Sequence, residues 1–234
     1  MGQRVRYAVD GAIATITMDD GKVNALSSAM LGDINAALDR AQADADVIVL
    51  GGRPGVFSAG FDLPVLREGG DAAGSMLRAG FDLAERLLSF PAPVVIACSG
   101  HAIAMGAFLV LSGDFRVGAA GPYKITANEV AIGLTLPRAA VEICRQRLSP
   151  AHFNRATITA EVYAPAQAVE AGFLDQVVDA AELDQAVRSA ASQLAQLDLA
   201  AHSATKLRAR KATLHAVHEA IGLDSADYAA TLAG

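Results

Sequence analysis

An α/β core with a helical C-terminal region is the fold that the sequence predicts, and three observations carry it. Short apolar strand patterns alternate with helix-period segments through the first half of the chain. Beyond about residue 135 the pattern is almost wholly helical. The 234 residues are 53% hydrophobic, enough for one large core, and no internal repeat, low-complexity tract or flexible linker divides them.

The elements follow in order. Val5 to Val9 and Ala12 to Met18 alternate apolar and polar residues around Asp10-Gly11, the pattern of a β-hairpin. Ser27 to Ala43 repeats Met30, Ile34, Ala37, Leu38 and Ala41 at spacings of three and four, a helix with one apolar face. Val47 to Leu50 is a buried strand, Ala72 to Phe90 a helix, and Val94 to Cys98 a second buried strand. Residues 106 to 112 form a helix, which leaves Ser99 to Met105 as the turn before it. Strands separated by helices call for parallel pairing with crossovers.

After the strand patterns Phe115 to Val117 and Tyr123 to Ile125, Thr135-Leu-Pro137 places an N-cap and a proline at the start of a helix to Leu148. Ser149-Pro150 and Ala164-Pro165 open two more. Asp184 to Leu197 and Ala200 to Ile221 are long and alanine-rich. The expected division is a core over 1–185 and a helical region over 186–234, in one folding unit. The long apolar helices need cover, either from another subunit or from the core itself.

Composition excludes several classes of function. A net charge of −6 argues against a nucleic-acid binder. No apolar run reaches 18 residues and Met1 to Asp10 lacks the pattern of a secretory signal, so a cytoplasmic protein without a membrane span is expected. Cys98 and Cys144 lie in apolar surroundings and read as reduced core thiols. His152, His202, His215 and His218 form no metal-ligand pattern with carboxylates, and no metal is expected. The basic run Lys206 to Lys211 has two readings, a solvated helix face or a contact for an anionic ligand.

Two strand-end turns could carry chemistry. "GHAIAMGAFLVLSGD", residues 100 to 114, joins a strand to a helix through glycines, so unpaired backbone N–H groups and a helix dipole favour negative charge there. The alternative is that Gly100 and Gly106 only allow close packing. Leu50 to Leu63 makes a second such junction, with "FSAG" over residues 57 to 60. Two N–H groups from two turns are what an oxyanion hole requires.

Asn24-Ala-Leu26, Phe57-Ser-Ala-Gly-Phe-Asp-Leu63, the Pro93 to Asp114 segment and "AVEAGFLDQVV" at residues 168 to 178 resemble the enoyl-CoA hydratase/isomerase (crotonase) family in order and spacing. The resemblance spans about residues 5 to 215. It implies a crotonase-like spiral of ββα units with a C-terminal helical trimerisation region, assembled as trimers or hexamers. It also implies an acyl-CoA thioester as partner, with coenzyme A belonging to the substrate and no separate cofactor. By position, the oxyanion donors are the backbone N–H groups of Phe61 and Met105. The family usually has glycine at the latter position, so the methionine side chain must fit beside the acyl chain or point away. The resemblance assigns substrate binding to Lys22, Val23, Ala25, Ala59, Gly60, Asp62 and Leu63, with Gly106 and Phe108 on the opening helix and Asn128 further along the chain.

Hydratases of this family carry two glutamates that handle water. The first maps onto Phe108 and the second onto Glu129 in "ITANEVAIGLTLP", residues 125 to 137. Asn128-Glu129 resembles the Asn-Glu pair of single-glutamate Δ3-Δ2-enoyl-CoA isomerases. A lone carboxylate can move a proton from Cα to Cγ where water is excluded, whereas hydration needs groups to orient and deprotonate water. The expected activity is therefore an enoyl-CoA delta isomerase of fatty acid metabolism with Glu129 as proton shuttle. The alternatives are an enoyl-CoA hydratase (a lyase), with Glu142 as a candidate second group, and a catalytically poor acyl-CoA-binding homologue.

The remaining candidates read as structural on their own residues. His101 beside the oxyanion turn is read as a hydrogen-bonded structural histidine, with ligand contact as the alternative. Asp62 reads as a residue that holds its loop, Asp114 as structural, and Ser58 has no His-Asp pairing. Lys206 is the candidate for reaching a phosphate.

Overall fold

A computed structural model describes residues 4–233, so the outer bounds of the expected 1–185 and 186–234 division fall outside the described residues. The chain opens as the hairpin β1 (Val5–Asp10) and β2 (Ile13–Met18), followed by α1 (Ser28–Asp44). Ser27 caps α1 by accepting the Met30 N–H, and its Met30, Ile34, Leu38 face is buried. Three strand pairs come next: β3 (Val47–Gly51) with β4 (Gly55–Ser58), β5 (Val94–Cys98) with β6 (Gly100–Ile103), and β7 (Phe115–Ala119) with β8 (Ile125–Thr126). Helices α2 (Leu63–Glu68), α3 (Gly70–Ser89), α4 (Met105–Leu111) and α5 (Arg138–Arg145) follow the successive pairs.

In each pair the first strand joins one sheet and the second joins another. With β9 (Gln176–Val178), the large sheet runs β1-β2-β3-β5-β7-β9, parallel except for the β1–β2 hairpin. The small sheet runs β4-β6-β8 and is parallel throughout. This alternation of a strand pair and a helix is the spiral of ββα units that the resemblance implies.

Three sequence expectations need correction. Ser99 to Met105 is not a plain turn, because Gly100–Ile103 pairs with β4 and β8 as the middle strand of the small sheet. With only four residues the strand is too short for periodicity to reveal. The helix at 135–148 starts later: Pro137, not Thr135, is its N-cap, and Glu129 to Gly133 form a tight turn before it. The helix expected at 200–221 is two helices, α9 (Leu199–Ala209) and α10 (Lys211–Ala233), broken at Arg210. Between α5 and β9 lie α6 (Pro150–Thr157) and α7 (Pro165–Ala171), both opened by the expected prolines.

The chain covers part of its C-terminal helices, while Leu207, Leu223 and Leu232 stay exposed. Leu183, Val187 and Ala191 of α8 (Leu183–Leu194) pack on Val47, Val49, Val95 and Val117 of the large sheet. Val217, Ala220 and Ile221 of α10 enter the main core, where α10 lies on α3 and α5. Cys98 and Cys144 are buried free thiols, and among the described residues no helix is long and apolar enough to cross a membrane.

Candidate active site

The two glycine-bearing turns meet. Gly60 adopts φ +88°, and a Cβ placed on it would lie 3.4 Å from the Met105 nitrogen and 3.0 Å from the Ile103 carbonyl oxygen. Only glycine allows that approach in that conformation. Met105 opens α4, so its N–H is one of the first-turn donors without an intrahelical acceptor. Neither the Phe61 nor the Met105 N–H donates to another group among the described residues. Ala104, just before Met105, is held at φ +51°, ψ −123°, a strained conformation for a residue with a Cβ. Gly106 and Gly100 have the packing role that their alternative reading gave them: a Cβ would collide with Ser58 and with Gly55, respectively.

A latch missed by sequence reasoning holds the Phe61 turn. Asn24 is fully buried at φ +51°, and its amide donates to the carbonyls of Met18 (3.0 Å) and Phe57 (3.1 Å). Ser58 donates to the Asn24 carbonyl at 2.8 Å and accepts the Gly60 N–H at 3.1 Å. The Asp20 carboxylate accepts the N–H groups of Lys22, Asn24 and Ala25. Burial pushes its pKa up, but these donors outweigh that effect and hold it below the ordinary value. Asp62, expected to hold the loop, caps α2 without any side-chain cap bond, and Asp20 does that work instead. The signal was present in the spacing of Asp20 and Asn24, an acid and an amide bracketing a glycine turn.

The loop also assembles the expected substrate-binding residues. The Val23 carbonyl accepts the Ala59 N–H at 3.0 Å, and Leu26 N–H donates to the Gly60 carbonyl at 2.8 Å. Lys22 and Val23 are exposed, Ala25, Ala59 and Asp62 half-buried, and Leu63 is 49% exposed. These backbone bonds bring the Lys22 to Ala25 segment alongside the Ala59 to Leu63 turn.

Met105 is fully buried, and its side chain packs toward Gly80 of α3 beside the Phe61 ring. Phe108 stacks on Phe81 at 6.2 Å between centroids, and Phe81 meets Phe61 edge-on at 6.1 Å. The ring at the first glutamate position is therefore part of a buried aromatic column behind the Phe61 turn.

Glu129 follows the small sheet in the chain. The Ala104 N–H donates to the Thr126 carbonyl at 2.9 Å, tying the Met105 turn to the strand that ends three residues before Glu129. Glu129 is only 8% exposed, and its Oε2 has no hydrogen-bond partner. Burial pushes its pKa up to about 7, opposed by its own backbone N–H. Burial, with the Glu129 charge nearby, also pushes the Cys144 thiol up. The half-buried Asn128 has an unpartnered buried Oδ1.

The other candidates lie elsewhere. His101 accepts the Lys124 N–H at 3.0 Å and packs edge-on against Tyr123, a structural histidine. Glu142 pairs with Arg145 at 3.2 Å. Lys206, offered above as a phosphate contact, is 6% exposed and donates to Asp114 at 2.7 Å. Arg210 also meets Asp114, at 2.9 Å, so the basic run is not simply a solvated face. Helical spacing of four turns Lys206 and Arg210 inward together. Among the described residues, no cluster of His, Cys, Asp and Glu could hold a metal.

A family model described as enoyl-CoA hydratase/isomerase matches residues 8–233. Human mitochondrial enoyl-CoA delta isomerase 1 is 31% identical over 90% of this chain and 72% of its own length. The crystal structure of an enoyl-CoA hydratase from Mycobacterium marinum superposes with a TM-score of 0.93 at 47% identity, covering 97% of this chain and 100% of the other. The apo structure of a Mycobacterium tuberculosis enoyl-CoA isomerase does so at 0.93 and 48%, covering 97% and 99%. Both reactions are thus represented among similar proteins.

Proposed function

The chain belongs to the enoyl-CoA hydratase/isomerase family, and from that premise we propose that it shifts the double bond of a 3-enoyl-CoA to the 2-position. The observation that carries this reading is the buried Glu129 carboxyl with an unpartnered oxygen, in a chain whose other acid position holds Phe108. Glu129 takes a proton from C2, and the electron pair of that C–H bond passes into the thioester carbonyl. The resulting dienolate oxygen is held by the Phe61 and Met105 N–H groups, which act where charge develops. Glu129 then returns the proton to C4, the carbonyl re-forms, and the double bond lies between C2 and C3.

A carboxyl near pKa 7 suits both halves of this cycle, since it must accept a proton from carbon and give it back. The exposed loop at Lys22 to Ala25, with Ala59, Asp62 and Leu63, would take the coenzyme A portion. The buried aromatic column keeps water from the position that a hydratase fills with its first glutamate. The family resemblance adds assembly as a trimer or hexamer, which light scattering at micromolar concentration tests directly; a monomer would remove it.

Purified protein with 3-enoyl-CoA and, separately, 2-enoyl-CoA decides the reaction. Isomerisation should be the faster of the two. Hydration of 2-enoyl-CoA at an equal or greater rate would replace this reading with the hydratase one, which the relatives bearing that name favour.

A further inference from the structure

Helix α3 carries a buried glycine where its backbone does not require one. Gly80 lies well inside the helix and is not among the glycines held at positive φ. Alanine at such a position favours the helix, so the reason for glycine must lie outside it. A Cβ on Gly80 would run into Phe61 Cε1, and would lie 2.5 Å from Phe61 Cζ and 3.6 Å from Met105 Cγ. The side chains of the two residues assigned as oxyanion donors therefore converge on one point of α3. Phe81, the next residue of α3, meets the same Phe61 ring edge-on at 6.1 Å.

The Phe61 turn is thus held from two directions. On one side the Asn24 and Ser58 bonds and the Leu26–Phe61 bridge fix the backbone leading into the donor. On the other, the ring of half-buried Phe61 occupies the gap that Gly80 leaves. The atoms a Cβ would strike form the far end of the ring, so the push runs along the side chain toward the Phe61 backbone. We propose that Gly80 is a positioning residue of the site, which seats the Phe61 ring beside Met105 and so sets where the Phe61 N–H points.

The inference rests on the reading of Phe61 as an oxyanion donor, and not on which reaction follows. Isomerisation and hydration both place developing charge on the thioester oxygen, so both need the donor aimed at it. A donor that is displaced loses its hold on the transition state more than on the bound thioester. The penalty therefore belongs in kcat, whereas a glycine that only packs helix against turn would show its loss in Tm and leave kcat in place.

A double-mutant cycle tests it, because leucine at position 61 lacks the two ring atoms that a Cβ would strike. Wild type, Gly80→Ala, Phe61→Leu and the double variant are assayed with 3-enoyl-CoA, or with 2-enoyl-CoA if hydration proves the faster reaction. Gly80→Ala alone should lower kcat about tenfold or more, with KM within about threefold of wild type. In the Phe61→Leu background the same change should lower kcat by less than about threefold. Wild-type kcat in Gly80→Ala, a loss confined to KM, or an equal kcat loss in both backgrounds overturns the inference. Where Gly80→Ala fails to fold, Phe61→Ala empties the seat without crowding it. Its kcat should also fall about tenfold, and an unchanged kcat overturns the inference. Gly60→Ala strains the turn itself, so full turnover in that variant would overturn the donor reading instead. The coupling between positions 61 and 80 would then decide the inference alone.

Discussion

Asp114 and Glu129 are both carboxyls withdrawn from water, and their surroundings are opposite. Asp114, between α4 and β7, accepts the Val94 N–H at 2.7 Å and meets Lys206 at 2.7 Å and Arg210 at 2.9 Å. It ties the start of a central strand to α9 and to the α9–α10 break. Glu129 lies three residues beyond a strand of the small sheet, has an oxygen with no partner, and has no ion-pair partner among the described residues. A carboxylate surrounded by donors has its charge committed and holds the fold together. A buried carboxyl left unpartnered is costly, and what the cost maintains is a group free to exchange a proton.

The sharpest way to break this contrast is to neutralise each acid. Glu129→Gln keeps the shape and removes the base, so isomerisation should fall by about 10²–10⁴ while binding of an unreactive acyl-CoA stays near wild type. Steady-state rates with 3-enoyl-CoA and calorimetric titration check both halves, and retained turnover would dissolve the distinction. Asp114→Ala should act on folding. It strands Lys206 and Arg210 in a buried place, which typically costs about 3–5 kcal/mol, and thermal or denaturant unfolding reads the loss. Lys206 already has its pKa lowered by burial, with Asp114 opposing that effect, so without the acid it would shed its proton more readily. The surviving folded fraction should keep the wild-type pH profile for catalysis.

The two carboxyls also differ in how visible they were. Val94–Cys98 and the β1–β2 hairpin could be read from apolar runs and a turn pair, because their physics is local. Glu129 and the two glycine-bearing turns could be singled out because their motifs are short and ordered along the chain. What stayed hidden depends on distant partners. The Lys206–Asp114 pair joins residues 92 positions apart, and helical periodicity cannot say which face of an alanine-rich helix turns inward. Strands β6 and β9 have four and three residues, too few to show alternation, and exist because neighbours complete their ladders. Asn24 enters the sequence reading only as the first residue of a three-residue motif. Its weight comes from the carbonyls of Met18 and Phe57, which only the fold brings beside it.

A smaller effect should appear in the pH dependence of the reaction. With Glu129 held up at about 7 by burial, kcat/KM for isomerisation should fall as pH drops through that value, about tenfold for each unit below it. An acidic limb near the ordinary carboxylate range would mean that Glu129 is solvated or that another group is the base.

The last effect is in stability, and it should run opposite to that of Asp114→Ala. The folded chain holds the Glu129 proton up to about pH 7, whereas the unfolded chain releases it near the ordinary value of 4.5. Stability from that proton is therefore complete below the unfolded value and is lost as pH rises through the folded one. Glutamine carries no charge at any of these values and escapes the loss. Glu129→Gln should match wild type near pH 4.5 and exceed it at pH 8.5, by an amount on the order of 2–3 kcal/mol at 1.36 kcal/mol per unit. For a chain of this size, each kcal/mol is worth about 2–4 °C in Tm. Thermal melts of both proteins at the two pH values measure the crossing. Equal melting temperatures at pH 8.5 would show that the Glu129 carboxylate is well solvated when charged, and the contrast with Asp114 would lose its physical basis.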